Sequence, residues 1–203
     1  MIKNTYCIFI IFIVSIHAFC QTNKMHSSFG YSFVVQSGWH IVPDTLCKQR
    51  IEELKKMNLD VPSFEYAVQL NSANIPFERP YIIIRHLKTG KLNQLDIKKM
   101  TNPFKMKTSF EIIKKEVDEI TKGIVVPLKI NCGYYDKLNK IIHFVTVSNI
   151  KDIGLTINYQ ALILTNYGYV QFFGSSLIEH FDNIITTFNN FIQSITIDKV
   201  YAY

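Results

Sequence analysis

Histidine is the first residue to weigh, because imidazole serves both acid–base chemistry and metal binding near neutral pH. The chain has six. His17 lies in the apolar N-terminal run and His26 in a polar stretch. His40, His86, His143 and His180 each stand alone, with no second histidine four residues away and no HExxH. A metal site needs several converging ligands, so the spacing predicts strand or helix surface residues and no metal; a long-range set of His40, His86 and an acid stays open. The carboxylates Glu111, Glu116, Asp118 and Glu119 alternate with Lys114, Lys115 and Lys122, the pattern of a solvated helix face with i,i+3 and i,i+4 pairs. Acid–base catalysis would require one carboxylate in a dry cleft, and the sequence marks none. Ser175-Ser176 follows Gly174 without the GxSxG of a nucleophile elbow, so a turn-and-cap role is expected. There is no glycine-rich phosphate loop. The expectation is no catalytic residue and no cofactor.

Two groups remain that could hold a ligand or a covalent bond. Trp39 and the pair Tyr134-Tyr135 would make a binding platform if exposed together; the competing reading is core packing at a sheet end. Cys47 and Cys132 could form one disulfide in an oxidising compartment, or each could be a small buried apolar residue. Spacing does not decide, since pairing needs Cα atoms within about 7 Å.

The compartment follows from the N-terminus. Met1-Ile2-Lys3-Asn4 is short and positive, Ile8 to Ile16 is apolar apart from Ser15, and Ala18-Phe19-Cys20-Gln21 follows. The apolar run is shorter than the roughly 20 residues of a membrane span and fits a secretory signal of residues 1–20, cut before Gln21. The alternatives are acylation at Cys20, against which bulky Phe19 argues, and an uncleaved anchor. In each case the protein is exported, to the periplasm or the exterior.

The formal net charge is +6; one of the 22 basic residues and none of the 16 acidic ones lies in residues 1–20, so the remainder carries +5. Its densest basic stretch, Lys98 to Lys107, has no Arg, whereas nucleic-acid modules show Arg-rich clusters with aromatics. No nucleic-acid partner is expected. A solvated face, or contact with an anionic membrane surface or polymer, accounts for the charge.

The elements that would position any site are legible from periodicity. Residues 21–28 read as a flexible lead-in. Tyr31, Phe33 and Val35 alternate as a strand, Trp39 to Val42 continues extended, and Asp44 caps a helix with Leu46, Cys47, Ile51 and Leu54 on one face, closing at Asn58. Phe64 to Leu70 and Tyr81 to Ile84 read as strands. Leu95 to Met100 is a helical turn, followed by a basic link to Lys107. Thr108 and Glu111 form a capping box for a helix with Phe110, Ile113, Val117 and Ile120 inward and Gly123 at its end. Val125 to Ile130, Tyr134 to Asp136 and Ile141 to Ser148 are extended. Ile153 to Ile163 alternates most clearly of all, Asn166-Tyr167-Gly168 turns, and Tyr169 to Phe173 returns. A second capping box, Ser176 and Glu179, opens a terminal helix with Leu177, Phe181, Ile184, Phe188, Phe191 and Ile195 on one stripe. This order predicts an α+β fold with a central, mainly antiparallel sheet flanked by helices, in a single domain over residues 29–203.

Tyr31-Ser-Phe-Val-Val-Gln-Ser-Gly-Trp39 resembles the opening strand and Gly-Trp turn of PsbP-like domains. Ile157 to Thr165, the turn, Tyr169 to Phe173 and the closing helix through Phe181 and Phe188 to Ile195 resemble their C-terminal half. The likeness covers about residues 29–197. It implies a PsbP-like sandwich and members that bind or support other proteins rather than catalyse. No residue-level motif maps across, so it implies no site. The functional expectation is an exported, non-catalytic binding or accessory domain whose partner is another envelope or extracellular protein; the alternatives are an enzyme with an unrecognised site and a basic peripheral envelope component.

Overall fold

The computed structural model describes residues 23–56 and 64–203, apart from the Cys132 side chain. The expected signal of residues 1–20, Cys20 and the helix end at Asn58 lie outside the described residues. In chain order the elements are β1 (Asn23–Ser27), β2 (Tyr31–Val35), β3 (Trp39–Ile41), α1 (Asp44–Lys56), β4 (Tyr66–Leu70), β5 (Tyr81–Leu87), α2 (Gln94–Met100), α3 (Pro103–Thr121), β6 (Val125–Asp136), β7 (Ile141–Ile150), β8 (Gly154–Thr165), β9 (Gly168–Leu177), α4 (Phe181–Ser194) and β10 (Thr196–Ile197).

Seven strands form one sheet in the order β3-β4-β5-β9-β8-β7-β6, with every neighbouring pair antiparallel. The alternation along β8 decides how it is covered. Tyr159, Ala161 and Ile163 join the main core with Val170, Phe172 and the α4 residues Phe188 and Phe191. Leu162 and Leu164, one residue out of phase, pack on the opposite face with Ile142, Phe144 and Ile97 of α2. Phe172 meets Phe188 edge-on at 5.7 Å between centroids, and Trp39 meets Phe191 at 5.4 Å. Each such pair adds roughly 0.5–1.5 kcal/mol to the burial of its rings. The expected α+β sandwich with an antiparallel sheet is the observed architecture.

A second sheet, β1-β2-β10, completes the α4 side. Here the expected flexible lead-in is replaced by structure: residues 23–27 form β1 and pair with β2 from Asn23–Val35 to Ser27–Tyr31. The reason is that β2 would otherwise present an open edge. β10 closes its other side, with the Ser32 and Thr196 hydroxyls 2.7 Å apart.

Two helix starts also differ from expectation. α3 begins at Pro103, not Thr108. Asn102 caps it by accepting from the Lys105 N–H at 3.0 Å, and proline occupies the first turn, where its missing N–H costs nothing. Thr108 lies inside the helix and donates to the Phe104 carbonyl. At the other end, Ser175 and Ser176 pair with Asn158 and Ile157 as part of β9, so the expected Ser176–Glu179 box does not form and α4 starts at Phe181 without a side-chain cap. On α3, Phe110 is buried but Ile113 and Ile120 remain about half exposed.

Candidate functional site

Of the exposed isoleucines of α3, Ile120 borders a cleft. α1 covers the β4–β5 end of the sheet through Val42, Cys47, Phe64 and Ala67, and α2 with α3 covers the β6–β7 end. Between α1 and the C-terminal end of α3 lies a cleft of about 680 Å3, within the roughly 300–1,000 Å3 of small-ligand sites. Phe77, Tyr81 and Ile83 line one side; Ile120, Ile150 and Ile153 line the other. The second wall is tied together by backbone: the Lys151 N–H donates to the Ile124 carbonyl at 2.8 Å. Thr121 ends α3 by accepting from the Val125 N–H at 3.2 Å and donating to the Val117 carbonyl at 2.7 Å.

The charged residues lining this cleft are Arg50, Lys56, Arg79, Lys122 and Lys151, and among the described residues no carboxylate lines it. Arg50 is shared with Glu53 at 3.1 Å on the exposed surface of α1. Arg79 is held more firmly. Its Nε donates to the Ser175 hydroxyl at 3.1 Å, and its guanidinium carbon lies 5.5 Å from the Tyr81 ring centroid. Ser175 is fully buried. An apolar floor with oriented cations can bind an apolar anion, and among the described residues its lining offers no carboxylate for an acid–base pair.

A second polar cluster lies on the opposite face. Glu65 accepts from the Ser27 hydroxyl (2.7 Å), the Tyr31 hydroxyl (2.8 Å) and the His86 backbone N–H (2.9 Å), and it also contacts His86 Nδ1. Four bonds use all the acceptor positions of one carboxylate. Burial alone would raise the Glu65 pKa, but the bonds from His86, Ser27 and Tyr31 outweigh it and hold the group below its ordinary range. Burial, then the neighbouring Glu65 charge, push the Tyr31 hydroxyl far up. Phe29 stacks on His86 with centroids 3.4 Å apart. The cluster therefore pins the small sheet to β5, a structural role. His86 is no surface residue.

His143 is likewise half buried, stacked between Tyr134 and Tyr159, and burial lowers its pKa against the pull of Asp136. Its Nδ1 is 2.8 Å from the Tyr159 hydroxyl, which donates to Asn189 on α4. His40 is bonded to Asn71, and His180 lies 3.5 Å from Glu179. Among the described residues no three His, Cys, Asp or Glu side chains gather as metal ligands.

The expected platform of Trp39, Tyr134 and Tyr135 is not assembled. Trp39 is buried on β3 and Tyr134 exposed on β6, the two edges of the sheet, six strand spacings or about 29 Å apart. Tyr135 is out of phase with Tyr134 and packs on the other face. The Cys47–Cys132 bond is not found. Cys47 is a free buried thiol whose Sγ–H points to the Val42 carbonyl at 3.7 Å, and burial, with Asp44, pushes its pKa up to about 11. It packs under α1 beside β4, whereas Cys132 lies on β6, five strand spacings or about 24 Å away.

An antiparallel sheet with a small second sheet and α4 on one face, and α1 to α3 on the other, defines an α+β sandwich of PsbP-like fold. The solution structure of cyanobacterial PsbP (CyanoP) from Synechocystis sp. PCC 6803 is similar to it with a TM-score of 0.51 and 11% identity, over 86% of this chain and 91% of that one. At that identity the similarity shows the fold alone. No protein-family model and no curated sequence matches the chain.

Proposed function

We propose that this protein is an exported, non-catalytic binding or accessory domain, and that its ligand site is the cleft between α1 and α3. The observation that carries the reading is the pairing of an apolar floor with five lining cations and no lining carboxylate among the described residues. The accessory role toward another envelope or extracellular protein implied by the PsbP-like resemblance belongs to the same reading.

The anionic naphthalene dye anilinonaphthalene sulfonate probes such a cleft directly. Saturable fluorescence enhancement is expected, weakened at least about 10-fold by Ile120→Glu, which sets a carboxylate at a half-exposed wall position without burying it. Leu138→Glu, on the exposed β6–β7 turn, is expected to leave binding unchanged. Equal binding by wild type and Ile120→Glu removes the cleft from the reading.

Export is checked by intact mass after expression of the full chain in a bacterial host. The expected product is extracytoplasmic and begins at Gln21. Among the described residues no helix is long and apolar enough to cross a membrane. A cytosolic product with residues 1–20 intact rejects export, and an added lipid mass at Cys20 replaces cleavage before Gln21 with acylation.

A further inference from the structure

We infer that the cleft's ligand is a single-chain anionic amphiphile, a free long-chain carboxylate, with its headgroup on Arg79 and its chain over the apolar floor. This rests on the cleft reading above and names its ligand class.

The head end follows from how Arg79 is fixed. One face of the guanidinium is set by Tyr81 and the Nε by buried Ser175. Among the described residues no carboxylate forms an ion pair with it. A pre-oriented guanidinium offers a planar fork that matches a carboxylate in two parallel bonds. The remaining cations select the same sign. Lys122 and Lys151 stand on the α3–β7 wall and Lys56 on the α1 wall, so a cationic ligand meets repulsion from both sides.

The tail end follows from the lining. Tyr81 and Ile83 continue along β5 from Arg79, and Ile120, Ile150 and Ile153 face them. These side chains carry no hydrogen-bonding group except the Tyr81 hydroxyl, so a polar chain would lose its hydration without replacement. An alkyl chain gains from each methylene buried. A volume of about 680 Å3 accommodates one such chain and a headgroup, not a folded partner's surface.

Displacement of anilinonaphthalene sulfonate from the full mature chain by three C12 probes tests this. Dodecanoate is expected to displace the dye, dodecanol to do so at least about 10-fold more weakly, and dodecyltrimethylammonium not at all. Shortening the acid from C12 to C10 should weaken binding about fourfold per methylene. Arg79→Gln should weaken dodecanoate at least about 10-fold while leaving dodecanol unchanged, a split that mere loss of structure would not produce. Arg79→Lys, which keeps the charge and loses the fork, should fall between. Equal affinity for acid and alcohol, or an Arg79→Gln effect of equal size on both, overturns the proposal. If the dye binds and responds to Ile120→Glu but dodecanoate does not displace it, the carboxylate ligand fails and the cleft reading stands. If the dye ignores Ile120→Glu, the cleft reading itself fails.

Discussion

Glu65→Ala is expected to destabilise the protein by about 3 kcal/mol, read as a lower urea midpoint at unchanged slope. The substitution removes four hydrogen bonds at once and leaves their donors on Ser27, Tyr31 and His86 facing one another across a partly buried gap. Bonds to a charged acceptor are worth more than neutral ones, and donors abandoned in a buried site cost most of all. Because β1 and β2 are joined to β4 and β5 through this carboxylate, hydrogen exchange should quicken first in residues 23–35. The acid limb carries a second readout. Glu65 has a folded-state pKa below its ordinary value, so the unfolded chain takes up its proton first as pH falls. The stabilisation is complete above the ordinary glutamate value of about 4.3 and is lost as pH drops through the folded value. The stability gap between wild type and Glu65→Gln should shrink as pH falls below about 4.3. A gap that is the same at pH 3 and pH 7 would show that the charge on Glu65 contributes nothing.

What the sequence made legible is burial that repeats within one element. Tyr159, Ala161 and Ile163 lie two residues apart and α4 repeats Phe181, Ile184, Phe188 and Phe191 every three or four, so both faces were readable without knowing any neighbour. The cleft has no such period. Arg79 lies ahead of β5, Arg50 on α1, Ile120 on α3 and Ile150 at the β7–β8 corner. The strand order that brings them together is not a local property. Strand order likewise separates Trp39 and Tyr134, which sit on opposite edges of the sheet. Glu65 did leave a trace: a lone carboxylate between Phe64 and Tyr66, at the head of an apolar strand, needs partners. His86, next to the continuous run Tyr81 to Ile84, left the same trace. The start of α3 carried a signal that the Thr108–Glu111 pattern overrode: Asn102-Pro103 is a cap followed by a first-turn proline.

Gly168→Ala is expected to cost at least about 3 kcal/mol and to lower the melting temperature by roughly 10 °C. Gly168 closes the β8–β9 turn opposite Thr165 with φ +149°, and any Cβ there would lie 2.1 Å from the Leu87 carbonyl oxygen and 2.8 Å from the Thr89 nitrogen. Both are backbone atoms, so no rotamer change relieves the overlap; β5 or the hairpin must move. Neither moves alone. Tyr169 pairs with Leu87, the Gly90 N–H donates to the Tyr167 carbonyl at 2.9 Å, and the Asn166 N–H donates to Tyr201 in the C-terminal segment at 3.0 Å. Gly154, at the β7–β8 turn, separates the two contributions to the cost. Its φ is +97°, yet a Cβ there meets nothing within 4 Å, so Gly154→Ala should cost only the backbone strain, about 1–2 kcal/mol. The difference between the two variants measures the contact of the hairpin with β5. If both melt at the same temperature, that contact is looser than the packing of Gly168 against Leu87 requires, and the central strand pair β5–β9 owes its register to side chains rather than to the close approach of the turn.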